Sequence, residues 1–162
     1  MLRNIIKFLI LLSLLTISCN QINNKETIHF SGKTLEEEKF DLKNFEGHPV
    51  IINFWYPSCP PCVKEIPNLV QVKNKYSDKI KVIGILHNSP LDSKESAERL
   101  LNNLESNYVN IFDKNGEIEK LFSIQVFPTS IFLNHEHQIT TQWSGYLDNK
   151  KLEELLSEVL IK

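Results

Sequence analysis

Two cysteines, Cys59 and Cys62, stand one helical turn apart in the stretch NFWYPSCPPC (residues 53–62), with only Pro60 and Pro61 between them. A pair at this spacing is a redox dithiol, half of a zinc site, or a structural staple. Structural zinc commonly takes four ligands, and the chain has no second Cys-x-x-Cys and no His-x3–5-His partner. The nearest candidates, His135 and His137 of "HEH", fall in the turn of an expected hairpin. At roughly 3.4 Å per residue, the strand before that turn puts them about 17 Å from its start. They read as solvated turn residues. A staple is disfavoured because closing so short a loop removes little unfolded-state entropy. Redox chemistry is left.

The elements around the pair support that reading. PVIINFWY (Pro49 to Tyr56) is a nearly continuous apolar run rich in β-branched residues, the pattern of a buried central strand. A helix is expected from the cysteines to about Tyr76, bent at Pro67. Cys59 then falls near the N-cap, with Pro60 and Pro61 as first-turn residues that tolerate a missing N–H. A thiolate there feels the positive end of the helix dipole, which lowers its pKa and makes it the attacking nucleophile. Cys62, one turn in, is better shielded and suits the resolving role.

The rest of the chain alternates strand and helix. Short strands are expected around Ile28 to Phe30 and Lys39 to Leu42, and a second buried strand at Ile80 to Leu86. Asp92 to Ser106 places Ala97, Leu100, Leu101 and Leu104 at helical spacing behind a cap at Asp92 or Ser93. A strand at VNIF, a turn at DKNG, a short helix to about Ser123, a hairpin of PTSIFLN with QITTQWSG, and a helix from Asp148 to Ile161 complete the chain. The expected fold class is α/β, a mixed central sheet with helices on both faces. SGKT (Ser31 to Thr34) is not a phosphate loop, because Thr27 holds the place of the required earlier glycine.

Eighteen Lys and Arg against twenty Asp and Glu leave a net charge of −2, and the cations are scattered, so nucleic acid is not an expected partner. Arg3 and Lys7 precede an uncharged run from Phe8 to Ile17 that is too short to span a bilayer, which needs roughly 20 apolar residues. Residues 1–18 read as a signal peptide. Ser18 before Cys19 resembles the lipobox at which bacterial lipoproteins are cleaved and acylated, although Leu15 lies one position further back than is common. A plain signal peptide and an uncleaved anchor are the alternatives. Acylation of Cys19 would resolve the odd cysteine count, leaving Cys59 and Cys62 to pair. Residues 19–27 are polar and aperiodic, a tether from a lipid on Cys19 to a domain at 28–162.

VIINFWYPSCPPCVKEIP resembles the active-site segment of the thioredoxin superfamily, and within it the membrane-anchored TlpA and ResA group. The likeness continues through DKNGEIEKLFSI and VFPTSIFLN, the latter similar to the superfamily's cis-proline loop. It implies a thioredoxin-like fold with extra N-terminal strands and an inserted helix at Asp92 to Ser106. Only about 5% of X-Pro bonds in folded proteins are cis, yet the resemblance implies a cis bond before Pro128. Phe127, Pro128 and Thr129 are then the substrate-binding positions, with the Phe127 backbone available to pair with an extended peptide, and Trp55, Pro60 and Pro61 form the active-site loop. Two departures stand out. Thioredoxin has a buried Asp where Asn53 stands and a Trp at Ser58. Proton handling for Cys62 then passes to Glu65, three residues on and on the same helical face, where the TlpA and ResA group also has Glu. The alternative is an ordinary solvated Glu beside Lys64.

The function expected is thiol-disulfide oxidoreduction without a cofactor. The substrates implied are disulfides of exported proteins, among them apocytochromes c, and the electrons would come from a separate membrane donor. The localisation implied is extracytoplasmic, periplasmic in a two-membrane cell. A peroxidase similar to the peroxiredoxins is a second reading, opposed by Tyr56 where their pattern has Thr. A copper-handling protein similar to the Sco group is a third, opposed by the two-residue spacing between the cysteines.

Overall fold

The computed structural model describes residues 26–77 and 79–160. Its strands are β1 (Ser31–Lys33), β2 (Lys39–Asp41), β3 (Val50–Trp55), β4 (Lys81–His87), β5 (Val109–Asp113), β6 (Thr129–Leu133) and β7 (Ile139–Ser144). The helices are α1 (Pro60–Lys75), α2 (Lys94–Asn103), α3 (Glu117–Leu121) and α4 (Asn149–Leu160).

Five strands form one mixed sheet in the order β5-β4-β3-β6-β7, in which β3 is parallel to β4 and antiparallel to β6. All six residues of β3 are buried, as expected of a strand covered on both faces. Its alternation splits the core. Ile51 and Trp55 face a layer built from α1, α2 and α4, whereas Val50, Ile52 and Phe54 face α3 and the β1–β2 segment. Because strand periodicity is two, the polar Asn53 points to the α1 side with Ile51 and Trp55.

The inserted helix is shorter than its apolar spacing suggests. Ser93 and Ser96 cap each other reciprocally at its start, so α2 begins at Lys94 and Asp92 is left outside it. The first strand lies three residues later than expected. Ile28 and Phe30 pack on the second core, but their backbone runs past the β6–β7 turn, with one bridge from Thr27 to Gln138. The strand proper forms where Ser31–Lys33 meets Lys39–Asp41. SGKT is thus strand and turn.

His137 corrects the reading of HEH. It is 2% exposed, takes a positive φ of 55° in the turn, and its Nε2 lies 3.1 Å from the Phe45 carbonyl oxygen. That contact ties the turn to the 3-10 segment after β2; of the two histidines only His135 is solvated. Both stand at the end of β6 opposite Thr129.

Candidate active site

Cys59 is the N-cap of α1, extended at φ −104° and ψ 99°, and Pro60 and Pro61 are the first two helical residues, both exposed. The two sulfurs are joined in a disulfide. Cys59 is almost as enclosed as Cys62, 4% against 0% exposed, so a partner reaches only the edge of the nucleophile. One amide addresses its sulfur: Cys62 N–H donates to Cys59 Sγ at 3.3 Å. The Val63 amide is spent on the Cys59 carbonyl at 3.1 Å, and the two prolines have no N–H.

Beneath the pair lies a buried polar group. Glu65, one turn beyond Cys62, is fully buried, which overturns its reading as a solvated surface residue; Lys64 is the one exposed. Its Oε1 accepts from Asn53 Nδ2 at 2.6 Å, and its Oε2 from the Leu147 amide at 2.8 Å. Burial pushes the carboxyl up from 4.5 to about 7, against the opposing pull of the Leu147 and Asn53 donors. Asn53 also donates to Ser130 Oγ, its partner across β3 and β6, at 3.0 Å. At neutral pH this carboxyl stands between its two protonation states, where a proton acceptor is most useful.

The loop leading to Cys59 is anchored from behind. Trp55 is fully buried and its indole N–H donates to Asn110 Oδ1 at 3.0 Å. Gly84 makes room for this contact: a Cβ there would run into Asn110 Oδ1 and stand 3.0 Å from Trp55 Nε1. On the outer side, Ser58 Oγ donates to Asp92 Oδ2 at 2.6 Å, tying the residue before the nucleophile to the inserted segment.

The Phe127–Pro128 bond is cis. The half-buried Phe127 ring meets Tyr56 at 5.2 Å and His87 at 4.8 Å between ring centroids, and the His87 Nδ1 reaches both Glu119 oxygens at 2.9 and 3.0 Å. Thr129 is buried, and its hydroxyl donates to the Val126 carbonyl at 2.8 Å, holding the loop in shape. Trp55, Cys59, Cys62 and Phe127 thus belong to one packed group, with Glu65 beneath. Cys19 lies outside the described residues. Asn110, Gly84, Leu147, Ser130 and Asp92 carry no local signal in the sequence; each acts through a contact more than 25 positions away. Among the described residues no three His, Cys, Asp or Glu gather as a metal site, and no helix is long and apolar enough to cross a membrane.

A mixed sheet carrying a disulfide at the start of α1, a cis-proline loop beside it and a buried carboxyl below defines a thioredoxin-like thiol-disulfide oxidoreductase. The comparisons agree. The chain belongs to the AhpC/TSA family, which matches residues 24–142. It is 30% identical over 139 residues to the thiol-disulfide oxidoreductase ResA of Bacillus thuringiensis subsp. konkukian, covering 83% of this chain and 77% of that one. It is 28% identical to the sporulation thiol-disulfide oxidoreductase A of Bacillus subtilis, over 80% of this chain and 78% of the relative. The crystal structure of StoA from Bacillus subtilis superposes with a TM-score of 0.69 at 26% identity, covering 82% of this chain and 98% of that one.

Proposed function

We propose that this oxidoreductase works as a reductase, an exported, lipid-tethered donor of electrons to disulfides in other exported proteins, apocytochromes c among them. The observation that carries the direction is the poor solvation of the Cys59 sulfur. A strong oxidant at about −120 mV owes its potential to a heavily stabilised thiolate. Here one amide reaches the sulfur, and the helix dipole adds about 0.3–1 kcal/mol. With the thiolate so weakly held, the dithiol gives up its electrons readily.

In the reduced protein the Cys59 thiolate attacks one sulfur of a substrate disulfide, forming a mixed disulfide and releasing the other substrate sulfur as a thiolate. Cys62 then attacks Cys59 Sγ, its proton passing to the Glu65 carboxylate. The Cys59–Cys62 bond closes and the second substrate sulfur leaves, so two electrons have moved to the substrate. An extended segment of the substrate pairs with the backbone at Phe127, beside Pro128 and Thr129. A separate membrane protein returns the two electrons, and lipid on Cys19 keeps the domain within its reach.

Equilibrating the domain against dithiothreitol and glutathione buffers tests the direction. The expected potential lies below about −200 mV, on thioredoxin's side of the scale; a value above about −150 mV gives the protein an oxidase role instead.

A further inference from the structure

Glu65 poses a problem that its neighbours define. Both carboxylate oxygens accept hydrogen bonds, Oε1 from Asn53 Nδ2 and Oε2 from the Leu147 amide. When the carboxyl takes up a proton, the new O–H needs an acceptor. Each oxygen keeps a second lone pair that a proton can occupy, but the Leu147 N–H is backbone and can only donate, so an O–H on Oε2 finds no acceptor in its partner. An O–H on Oε1 lies beside the Asn53 side chain, which carries an acceptor as well as a donor.

Asn53 can answer in either state. Its Oδ1 is buried and has no hydrogen-bond partner, an unusual condition for a fully buried side-chain amide. If the amide turns over about its Cβ–Cγ axis, Oδ1 takes the place of Nδ2. It can then accept from the Glu65 O–H and also from the Ser130 hydroxyl, which rotates to donate. The nitrogen moves to the position the oxygen held, so one amide atom lacks a partner before the turn and one lacks it after. The turn exchanges an unpaired carbonyl oxygen for an unpaired NH2 group, and the bond gained by the Glu65 O–H offsets that cost, so the protonation state of Glu65 decides which orientation prevails.

We propose that the Asn53 side chain is a two-state partner of Glu65, donating through Nδ2 to the carboxylate and accepting through Oδ1 from the carboxylic acid. It is a positioning residue, acting on the dithiol only through Glu65. The inference rests on the reading of Glu65 as the holder of the Cys62 proton. It also explains the departure from thioredoxin at position 53. An Asp there beside Glu65 would place two carboxyls in one buried site, and two such groups cannot both ionise at neutral pH. Asn accommodates both charge states of its neighbour. Among the described residues the buried Tyr108 hydroxyl at the approach to β5 feels the Glu65 charge, and burial keeps it protonated; Cys62, three residues before Glu65 on the same helix, is held in the disulfide.

The test uses the oxidised full-length protein, so that neither cysteine titrates. Nuclear magnetic resonance follows the Glu65 carboxyl carbon and the Asn53 side-chain NH2 group across pH 4–9. The expected result is a single shared midpoint, with the Asn53 amide protons losing their contacts to Ser130 as Glu65 becomes protonated. Amide signals that stay flat through the Glu65 transition, or that shift while keeping the Ser130 contacts, overturn the proposal. In Asn53→Val the carboxylate loses its donor, and because hydrogen bonds to charged groups are the stronger, Glu65 should bind its proton about tenfold more tightly. An unmoved Glu65 midpoint in that variant also overturns it. The separate reading of Glu65 as proton holder fails if Glu65→Gln leaves the pH profile of thiol exchange unchanged, a result that would not touch the amide measurement.

Discussion

Glu65→Gln should change how stability depends on pH, and the size follows from burial. In the folded protein the carboxyl titrates at about 7, against its ordinary 4.5. Between those values the folded chain holds a proton that the unfolded chain has released. A raised carboxyl of this kind contributes stability that is fully present below pH 4.5, falls as pH rises toward 7, and is gone above it. The difference between the two values corresponds to about 3 kcal/mol, a tenfold change in proton affinity being worth about 1.36 kcal/mol. That is a large part of the 5–15 kcal/mol typical of a domain. The Gln side chain has no charge to bury, so the variant lacks this slope while sharing every other titration. Urea unfolding of oxidised parent and variant at pH 4, 6 and 8 measures the difference. The variant's stability relative to the parent should rise by about 3 kcal/mol from pH 4 to pH 8, at similar m-values. Parallel pH profiles would refute the argument, because they would mean that Glu65 ionises in the folded protein as freely as in the unfolded chain.

Three further outcomes are expected. Gly84→Ala forces a methyl group into the Asn110–Trp55 contact and should cost about 2 kcal/mol or more through overpacking and a lost buried hydrogen bond, read from the urea midpoint together with tryptophan fluorescence. Cys62→Ser should accumulate mixed disulfides with exported proteins, identifiable by mass spectrometry, and should not turn over peroxide; sustained peroxide reduction by this variant would revive the peroxidase reading. Mass spectrometry of the mature chain from membranes should find an acylated N-terminal Cys19, and an unmodified cysteine or cleavage elsewhere would remove the lipid tether from the account.

The sequence alone determines those features whose cause lies within a few residues. The run from Val50 to Trp55 is apolar throughout, so it is a buried strand wherever it packs. Cys59, two prolines and Cys62 specify a helix start with a dithiol on it, because adjacent prolines fit the first turn, where their missing N–H groups would have no helical partner. Motif resemblance extends this to the cis bond at Pro128, where backbone preference alone points the other way. The tertiary structure decided what depends on distant partners. Glu65 is identical as a residue whether it faces water or the core. Its burial follows from the packing of α1 onto the sheet and from the Leu147 amide, 82 positions away, closing over it. His137 went inward for the same kind of reason, since the Phe45 carbonyl that receives it is 92 positions off. Asn110, Gly84 and Asp92 meet the active-site loop only after β4, β5 and the inserted segment take their places around β3. Local patterning carries periodicity, caps and the one amide that reaches the Cys59 sulfur; it carries no record of which side chain closes over which, and that closing moves the pKa of a carboxyl and turns a histidine inward.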